Sequence, residues 1–297
     1  MVDRLRRLLS PLALTALRLA WLALPITVGA SVEEAMSDNG ELAHWIISGE
    51  LWALWVAGLV ALMILQPLTL TIIRTLAPAV AGTALAASIA GEVDPLSLGM
   101  GFAVGVVAFA ASIGEAYVDA PSYGTERRLP LRAPVPLLML PVPLVWLVMA
   151  AGLSVGPLLL AAEQWIAGGV ATAAGLILTY FGLRALYGLA RRWIVFVPAG
   201  IVLHDPMSTL DPFLCRQKAI TRLGALRAGD SMEGDGTLDA TQRASGIVLE
   251  ARLDEAVQVI PARPHDIEVL TVDRVLFCPT RPGRMLDEAE HRQMAVA

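Results

Sequence analysis

Charge is scarce in this 297-residue chain, since Asp, Glu, Lys and Arg make up 16% of it while 56% of its residues are hydrophobic. Average soluble domains contain about 25% charged residues. The composition therefore excludes a water-soluble enzyme of ordinary type, and it is also too apolar for a disordered chain. Lysine is nearly absent, because Lys218 is the only one. A multi-pass membrane protein is the class that remains.

Several chemical signatures are also missing. The chain has no H-E-x-x-H motif and no Walker A motif, and its two cysteines, Cys215 and Cys278, have no CxxC spacing. We therefore predict no enzyme activity, no cofactor, no metal site and two reduced cysteines. The acidic net charge of −5 indicates no nucleic-acid partner.

Long apolar runs fill residues 1–190. A spanning helix needs about 20 mostly apolar residues, and the runs predict six helices at about 8–30, 44–68, 76–90, 96–113, 134–152 and 167–189. The first run ends in Val28-Gly29-Ala30, which resembles a signal-peptide cleavage site. Because Arg18 interrupts that run and the run is long, we predict a retained helix.

Arginine sets the predicted orientation, because cytoplasmic loops carry an excess of Lys and Arg. With the amino terminus inside, the cytoplasmic segments hold Arg4, Arg6, Arg7, Arg74, Arg127, Arg128, Arg132, Arg191 and Arg192. The outer segments then have no Lys or Arg, and their charged residues are all acidic: Glu33, Glu34, Asp38, Glu41, Glu92, Asp94 and Glu163. We therefore predict that both termini are cytoplasmic and that the protein lies in a bacterial plasma membrane.

Small residues recur at helical spacing within the predicted spans. They are Gly82, Ala86 and Ala90 in one helix, and Gly101 and Gly105 in the next. Such faces let helices approach closely in lipid. We interpret them as packing faces within one bundle, and a homo-oligomer is the alternative. No acid stands at mid-membrane in this prediction, so a proton-coupled transporter would lack its usual relay.

Residues 191–297 form a second, β-rich domain by pattern. Two apolar runs joined by Pro198-Ala199-Gly200 predict a hairpin. Later runs predict further strands, with a turn at Asp254-Glu255, and a charged segment after Pro282 predicts a carboxyl-terminal helix.

About seven short strands closed by one helix is the order of a pleckstrin-homology-like (PH-like) barrel, and on that pattern the tail resembles the bacterial PH-like domains that follow transmembrane helices. The whole chain is similar to a group of actinobacterial multi-pass membrane proteins, through residues 122–132 (SYGTERRLPLR) and 193–205. The resemblance implies an adaptor that binds protein or lipid and performs no chemistry.

Five arginines are the candidate contact residues for lipid or a partner: Arg127, Arg128, Arg132, Arg191 and Arg192. They lie at the predicted cytoplasmic surface, where each contact with an anionic head group contributes about 1 kcal/mol. We therefore expect a non-enzymatic membrane scaffold or regulator whose cytosolic domain, residues 191–297, binds a protein partner or the inner leaflet. A transporter or lipid-handling permease with a regulatory cytosolic domain is the alternative.

Overall fold

The computed structural model describes residues 2–37, 39–227, 229–232, 234–262 and 269–297. The chain divides into two compact units. The helical unit comprises Met1–Tyr117 and Pro143–Tyr187, and the β-rich unit comprises Val118–Val142 and Gly188–Ala297. The second unit is therefore larger than the predicted domain 191–297, because it also takes in the segment between two apolar helices.

Helices account for most of the first 190 residues. In chain order they are α1 (Val2–Ala23), α2 (Val28–Ala35), α3 (Glu41–Met63), α4 (Pro67–Ala90), α5 (Pro95–Ala108), α6 (Ala111–Asp119), α7 (Val135–Met139), α8 (Pro141–Ala161) and α9 (Trp165–Ala190).

Within the described ranges, five helical segments are long and apolar enough to cross a membrane: Pro11–Ala35, Glu41–Met63, Pro67–Ala90, Val135–Ala161 and Trp165–Ala190. Helices α5 and α6 meet at 54° and supply a sixth only if together they form one broken span. The predicted six helices are thus matched by five segments and one bent pair.

The boundary between the second and third spans differs from the prediction. The second helix was expected to continue to Leu68 and Arg74 was expected in a cytoplasmic loop. Helix α3 instead ends at Met63, and α4 begins at Pro67 behind a capping box in which Gln66 and Thr69 satisfy each other's backbone groups. Proline suits the first helical turn because it has no backbone N–H, and the N–H groups of that turn have no partner within the helix. Arg74 consequently lies inside α4.

The first span is broken. Helix α1 ends at Ala23, a short 3₁₀ turn spans Leu24–Ile26, and α2 begins at Val28. Pro25 lies in this turn. Because proline has no backbone N–H, it cannot donate the hydrogen bond that would continue the α-helix. The apolar run predicted as one helix over 8–30 is therefore two helices separated by a non-α segment.

In its described residues the β-rich unit has eight strands and a carboxyl-terminal helix, in addition to α7 and the ends of α6, α8 and α9. The strands and the carboxyl-terminal helix are β1 (Arg127–Pro130), β2 (Trp193–Val197), β3 (Gly200–His204), β4 (Phe213–Arg216), β5 (Ile220–Ala225), β6 (Thr237–Asp239), β7 (Leu249–Val259), β8 (Leu270–Phe277) and α10 (Pro282–His291). The predicted hairpin is β2–β3, in which Gly200 has a φ of +146° that other residues rarely adopt. The predicted carboxyl-terminal helix is α10.

The strands form two four-stranded sheets. Sheet 1 has the order β1-β2-β3-β4, and sheet 2 has the order β5-β7-β8-β6. Neither sheet is closed into a barrel, so the PH-like barrel is not supported. The turn predicted at Asp254-Glu255 is wrong, since β7 runs through both residues with an irregular pairing to β8 between Arg252 and Val257. Such a bulge bends a strand without ending it.

One hydrophobic core lies within the β-rich unit. It takes Ile194, Phe196 and Leu203 from sheet 1, Leu223 and Leu249 from sheet 2, and Met285 and Ala289 from α10. Strand β1 completes sheet 1 by pairing antiparallel with β2, with Leu129 opposite Ile194. A domain cut at residue 191 would lose this edge strand.

Candidate functional sites

Arg192 and Asp205 form a buried ion pair in the β-rich unit. The Arg192 side chain is 1% exposed, its Nε donates to Asp205 Oδ1 at 2.8 Å, and its Nη2 donates to Oδ2 at 2.9 Å. Its guanidinium also donates to the carbonyls of Arg132 and Ala240. Arg192 was expected to contact lipid or a partner; that expectation is corrected here, because Arg192 is enclosed and fully engaged.

The other four candidate arginines lie nearer the surface of this unit. Arg127 pairs with Asp119 at 3.0 Å, and Arg128 pairs with Glu126 at 3.5 Å. Arg132 is half-buried, and Arg191 is exposed. Because Arg127 and Arg128 already have acidic partners, they offer little uncompensated charge to an anionic surface.

A groove opens on the outer face of sheet 1. It has a volume of about 310 Å³ and is formed by Glu126, Arg128, Trp193, Val195, Val197, Val202, His204 and Pro212. We call it the sheet 1 groove. The register places Val195 opposite Val202, so the valines form its floor.

The sheet 1 groove is unusual because both faces of the sheet are apolar. In β2, Ile194 and Phe196 belong to the core, yet the alternate residues Trp193, Val195 and Val197 are apolar too. An antiparallel sheet with one face on a core normally presents polar side chains on the other. Trp193 and Val197 remain partly exposed, and an apolar surface that meets solvent in this way is typical of an interaction site.

An aromatic pair lies in the sheet 1 groove. The rings of Trp193 and His204 stack with their centroids 4.5 Å apart. Burial lowers the pKa of His204 below its ordinary value; Arg191 and Arg128 act in the same direction, and Asp205 acts against them. The imidazole is therefore neutral at neutral pH, and the groove presents an apolar surface there.

Three arginines surround one carboxylate on the outer face of sheet 2. Glu250 is 0% exposed and accepts from Arg222 at 2.6 Å, Arg274 at 2.5 Å and Arg252 at 3.0 Å. The register aligns the three arginines across β5, β7 and β8. Burial alone raises the pKa of Glu250, but the hydrogen bonds from Arg274 and Arg252 outweigh it and hold that pKa below its ordinary value.

Both cysteines are free and buried. Burial raises the pKa of the Cys215 thiol to about 12. It also raises the pKa of the Cys278 thiol, although Arg132 and Arg192 act in the opposite direction. Because the thiolate is the reactive form, neither residue suits nucleophilic chemistry.

The predicted small-residue faces divide in the structure. Gly101 of α5 packs on α4, where an added Cβ would lie 3.1 Å from the Ala81 Cα. Gly82, Ala86 and Ala90 lie on an exposed side of α4, and Gly105 has nothing within 4 Å of its Cβ position. The packing within α4–α5 thus uses Ala81 and Ala84, whereas the exposed set is left for lipid or a second copy.

Sequence reasoning missed a closer glycine contact between α8 and α9. A Cβ on Gly175 would lie 1.9 Å from the Gly152 carbonyl oxygen, and one on Gly156 would lie 2.6 Å from the Thr172 amide nitrogen. The pattern Gly152–Gly156 reads G-x-S-x-G, the spacing of a nucleophile elbow. Its serine lies inside α8 and donates to the Ala150 carbonyl, so the geometry is helical and the glycines serve packing.

The helical unit holds more buried polar groups than expected. Arg18 donates from Nε and Nη2 to the Leu62 carbonyl, and the Tyr117 hydroxyl donates to the Ala61 carbonyl. Both satisfy carbonyls at the end of α3, where the helix dipole favours positive charge. Glu115, expected in a cytoplasmic loop, is 4% exposed within α6, so the helical unit does contain a buried acid.

An apolar cavity of about 340 Å³ lies in the helical unit. The broken segment between α1 and α2 forms one wall through Leu24 and Val28, α3 contributes Trp52 and Trp55, and α4 contributes Ala79. Glu33 is the one charged residue in its lining. This volume falls within the usual range of ligand pockets, about 300–1,000 Å³.

Among the residues that the structure describes, His, Cys, Asp and Glu side chains do not assemble into any group of three or more that could hold a metal ion. Comparison of the chain with protein-family models, curated proteins and solved structures found no match.

Proposed function

We propose that this chain is a non-enzymatic scaffold or regulatory protein of the bacterial plasma membrane. It crosses the membrane six times, with α5 and α6 as one broken span and both termini in the cytoplasm. The helical unit anchors the protein, and the β-rich unit binds a protein partner. We also propose that the chain is related to the actinobacterial multi-pass membrane proteins that its sequence resembles.

The sheet 1 groove is the observation that carries the proposal. Its floor is apolar on the face that normally meets water, and Trp193 supplies the large amphipathic ring that is enriched at protein interfaces. Val197 and Val202 remain partly exposed in this groove, and its concave shape fits an extended or helical apolar segment of a partner. Arg128 and Glu126 at its border supply the polar contacts that orient such a segment.

A protein partner is favoured over the inner leaflet by the arginine contacts. Lipid attraction was expected from five arginines, but Arg192 is buried in an ion pair and Arg127 and Arg128 are paired with acids. Since head-group attraction depends on uncompensated charge, the apolar groove is the stronger recognition element.

Site-specific photocrosslinking tests the proposal in the full-length protein in its native membrane. A benzoylphenylalanine at Val202, on the groove floor, should yield one protein adduct of discrete mass. The matched control is Thr271, an exposed β-branched residue on sheet 2, which should yield none. Val197→Glu should abolish the Val202 adduct and Val197→Ile should preserve it. An adduct with phospholipid alone, or with a second copy of the chain, contradicts the proposal.

The alternative, a transporter or lipid-handling permease with a regulatory cytosolic unit, is favoured by the cavity in the helical unit. A cavity indicates that a ligand can bind, whereas transport also requires that the ligand cross the membrane. Flux of a labelled lipid between the leaflets of proteoliposomes would distinguish the two functions.

A further inference from the structure

We propose that the cavity of the helical unit is a lipid site, in which a hydrocarbon chain of an amine-bearing phospholipid lies between α1, α2, α3 and α4 with its ammonium group beside Glu33. This inference concerns the helical unit alone. It holds whether or not the β-rich unit binds a protein partner.

The lining of the cavity is mostly apolar, and three of its polar side chains, those of Trp21, Trp55 and Thr83, already have partners within the helices. The indole Nε1 of Trp21 donates to the Trp55 carbonyl at 3.0 Å, and that of Trp55 donates to the Trp21 carbonyl at 2.9 Å. The hydroxyl of Thr83 donates to the Ala79 carbonyl within α4. A buried water needs two to four polar partners, so these walls suit hydrocarbon better than water.

Rigid packing keeps the cavity open. Trp21 is wedged against Gly58, where an added Cβ would lie 2.0 Å from the indole. Elsewhere the lining side chains are small: Gly29 and Ala30 in α2, and Ala79 in α4. A Cβ on Gly29 would meet only the Leu24 carbonyl oxygen at 3.5 Å, so the space next to it is unfilled by the chain.

The location of the walls selects a membrane lipid. Every lining residue lies between Trp21 and Thr83, within or between segments that are long and apolar enough to cross a bilayer. The cavity is partly open rather than enclosed. A lipid chain can therefore enter from the hydrocarbon around the helices, where such chains are the most concentrated apolar ligand.

Charge at the rim selects the head group. Glu33 lines the cavity, its side chain is 66% exposed, and it lies 3.4 Å from His44 Nε2. The chain has no Lys or Arg between Arg18 and Arg74. An ammonium group thus finds a complementary carboxylate there, whereas an anionic head group meets a surface without a basic residue of that stretch.

Native mass spectrometry of the full-length protein tests the site. After detergent exchange and addition of palmitoyl-oleoyl phosphatidylethanolamine, the wild type should retain one lipid per chain. Ala79→Trp and Gly29→Leu fill the cavity from two different walls and should each reduce retention at least tenfold. Ala86→Trp, on the exposed side of the same helix as Ala79, is the matched control and should retain lipid as the wild type does.

Comparison of two lipids with different head groups tests the role of Glu33. Phosphatidylglycerol with the same chains should be retained at least fivefold less than phosphatidylethanolamine, and Glu33→Gln should remove that preference while keeping chain binding. Retention by both filled variants, with folding verified by gel filtration and thermal unfolding, would overturn the site. Equal retention of both lipids by the wild type would overturn the role of Glu33.

Discussion

Arg192 and Asp205 face each other across the β2–β3 hairpin as a buried, doubly hydrogen-bonded ion pair, one residue beyond the pairing of Trp193 with His204. The same guanidinium holds the Arg132 carbonyl, which follows β1, and the Ala240 carbonyl, which follows β6. Arg192 thereby ties four segments of the β-rich unit together. Two residues after α9 ends, the chain is already fixed inside this unit.

Arg192→Ala should destabilise the β-rich unit by about 3–5 kcal/mol, because it leaves Asp205 buried without a counter-charge. The buried thiols of Cys215 and Cys278 report opening of this unit, so maleimide labelling should accelerate by about two to three and a half orders of magnitude, at tenfold per 1.4 kcal/mol. Arg127→Ala removes an exposed ion pair and should change stability by less than about 1 kcal/mol. Equal labelling of the two variants contradicts the role of Arg192.

The β-rich unit should lose stability in acid through Glu250. Its folded pKa is below the ordinary value of 4.5, so its contribution is present above the unfolded pKa and is lost as pH falls through the folded pKa. The midpoint temperature of thermal unfolding of the wild type should therefore decrease as the pH is lowered below about 4.5.

Glu250→Gln is the matched variant. It should be less stable at pH 7 by about 1.5–3 kcal/mol, since it replaces charge-assisted hydrogen bonds with neutral ones, and its midpoint should vary less with acid. Parallel pH profiles for the two proteins would show that Glu250 is not the titrating group.

Gly175→Ala should destabilise the helical unit by about 1–3 kcal/mol, because its Cβ would meet the Gly152 carbonyl and force α8 and α9 apart. Gly169→Ala is the control on the same helix, since nothing lies within 4 Å of its Cβ position. Thermal unfolding in detergent compares them. A Gly175→Ala midpoint equal to that of Gly169→Ala would mean that α8 and α9 do not pack through this contact.

Introduced cysteines test the orientation, since the two natural cysteines are too buried to serve as topology reporters. Val93 and Tyr123 are 68% and 86% exposed and lie in segments expected on opposite sides of the membrane. With both termini inside, an impermeant maleimide should label Val93→Cys in intact cells and Tyr123→Cys only after permeabilisation. The reverse pattern would invert the orientation.

Hydropathy located five apolar segments that the structure has as long helices, because length and lack of charge decide membrane crossing, and its sixth corresponds to the bent pair α5–α6. It misplaced the α3–α4 boundary, since Ile64 after α3 and Leu68 in the first turn of α4 are both apolar and hydropathy runs on across the break. The break is marked by the capping box of Gln66 and Thr69 and by Pro67 at the first helical position. The burial of Glu115 was missed because an acid next to an arginine-rich loop is expected to be solvated, whereas Glu115 lies in α6 and is 4% exposed.

The β-rich unit shows the limits of local pattern more clearly. The β2–β3 hairpin was predicted because its two strands and the turn are adjacent in sequence. Strand β1 was not, because its partner lies more than 60 residues away and only four residues pair. The burial of Arg192 was within reach, since continuing the predicted hairpin by one residue places it opposite Asp205. The seven-residue spacing of Gly168, Gly175 and Gly182 places them on one face of α9, and it could likewise have predicted a packing face there.

Affinity isolation from the native membrane tests the central claim most directly. Truncation at Arg192 is unsuitable because it would leave β1 unpaired, so the comparison is full-length wild type against Val202→Asp in the sheet 1 groove and Thr271→Asp on sheet 2. A stoichiometric protein partner should accompany the wild type and Thr271→Asp and be lost from Val202→Asp. Isolation of the wild type without a partner, or of the same partner with all three, would contradict the assignment of the groove as the binding surface.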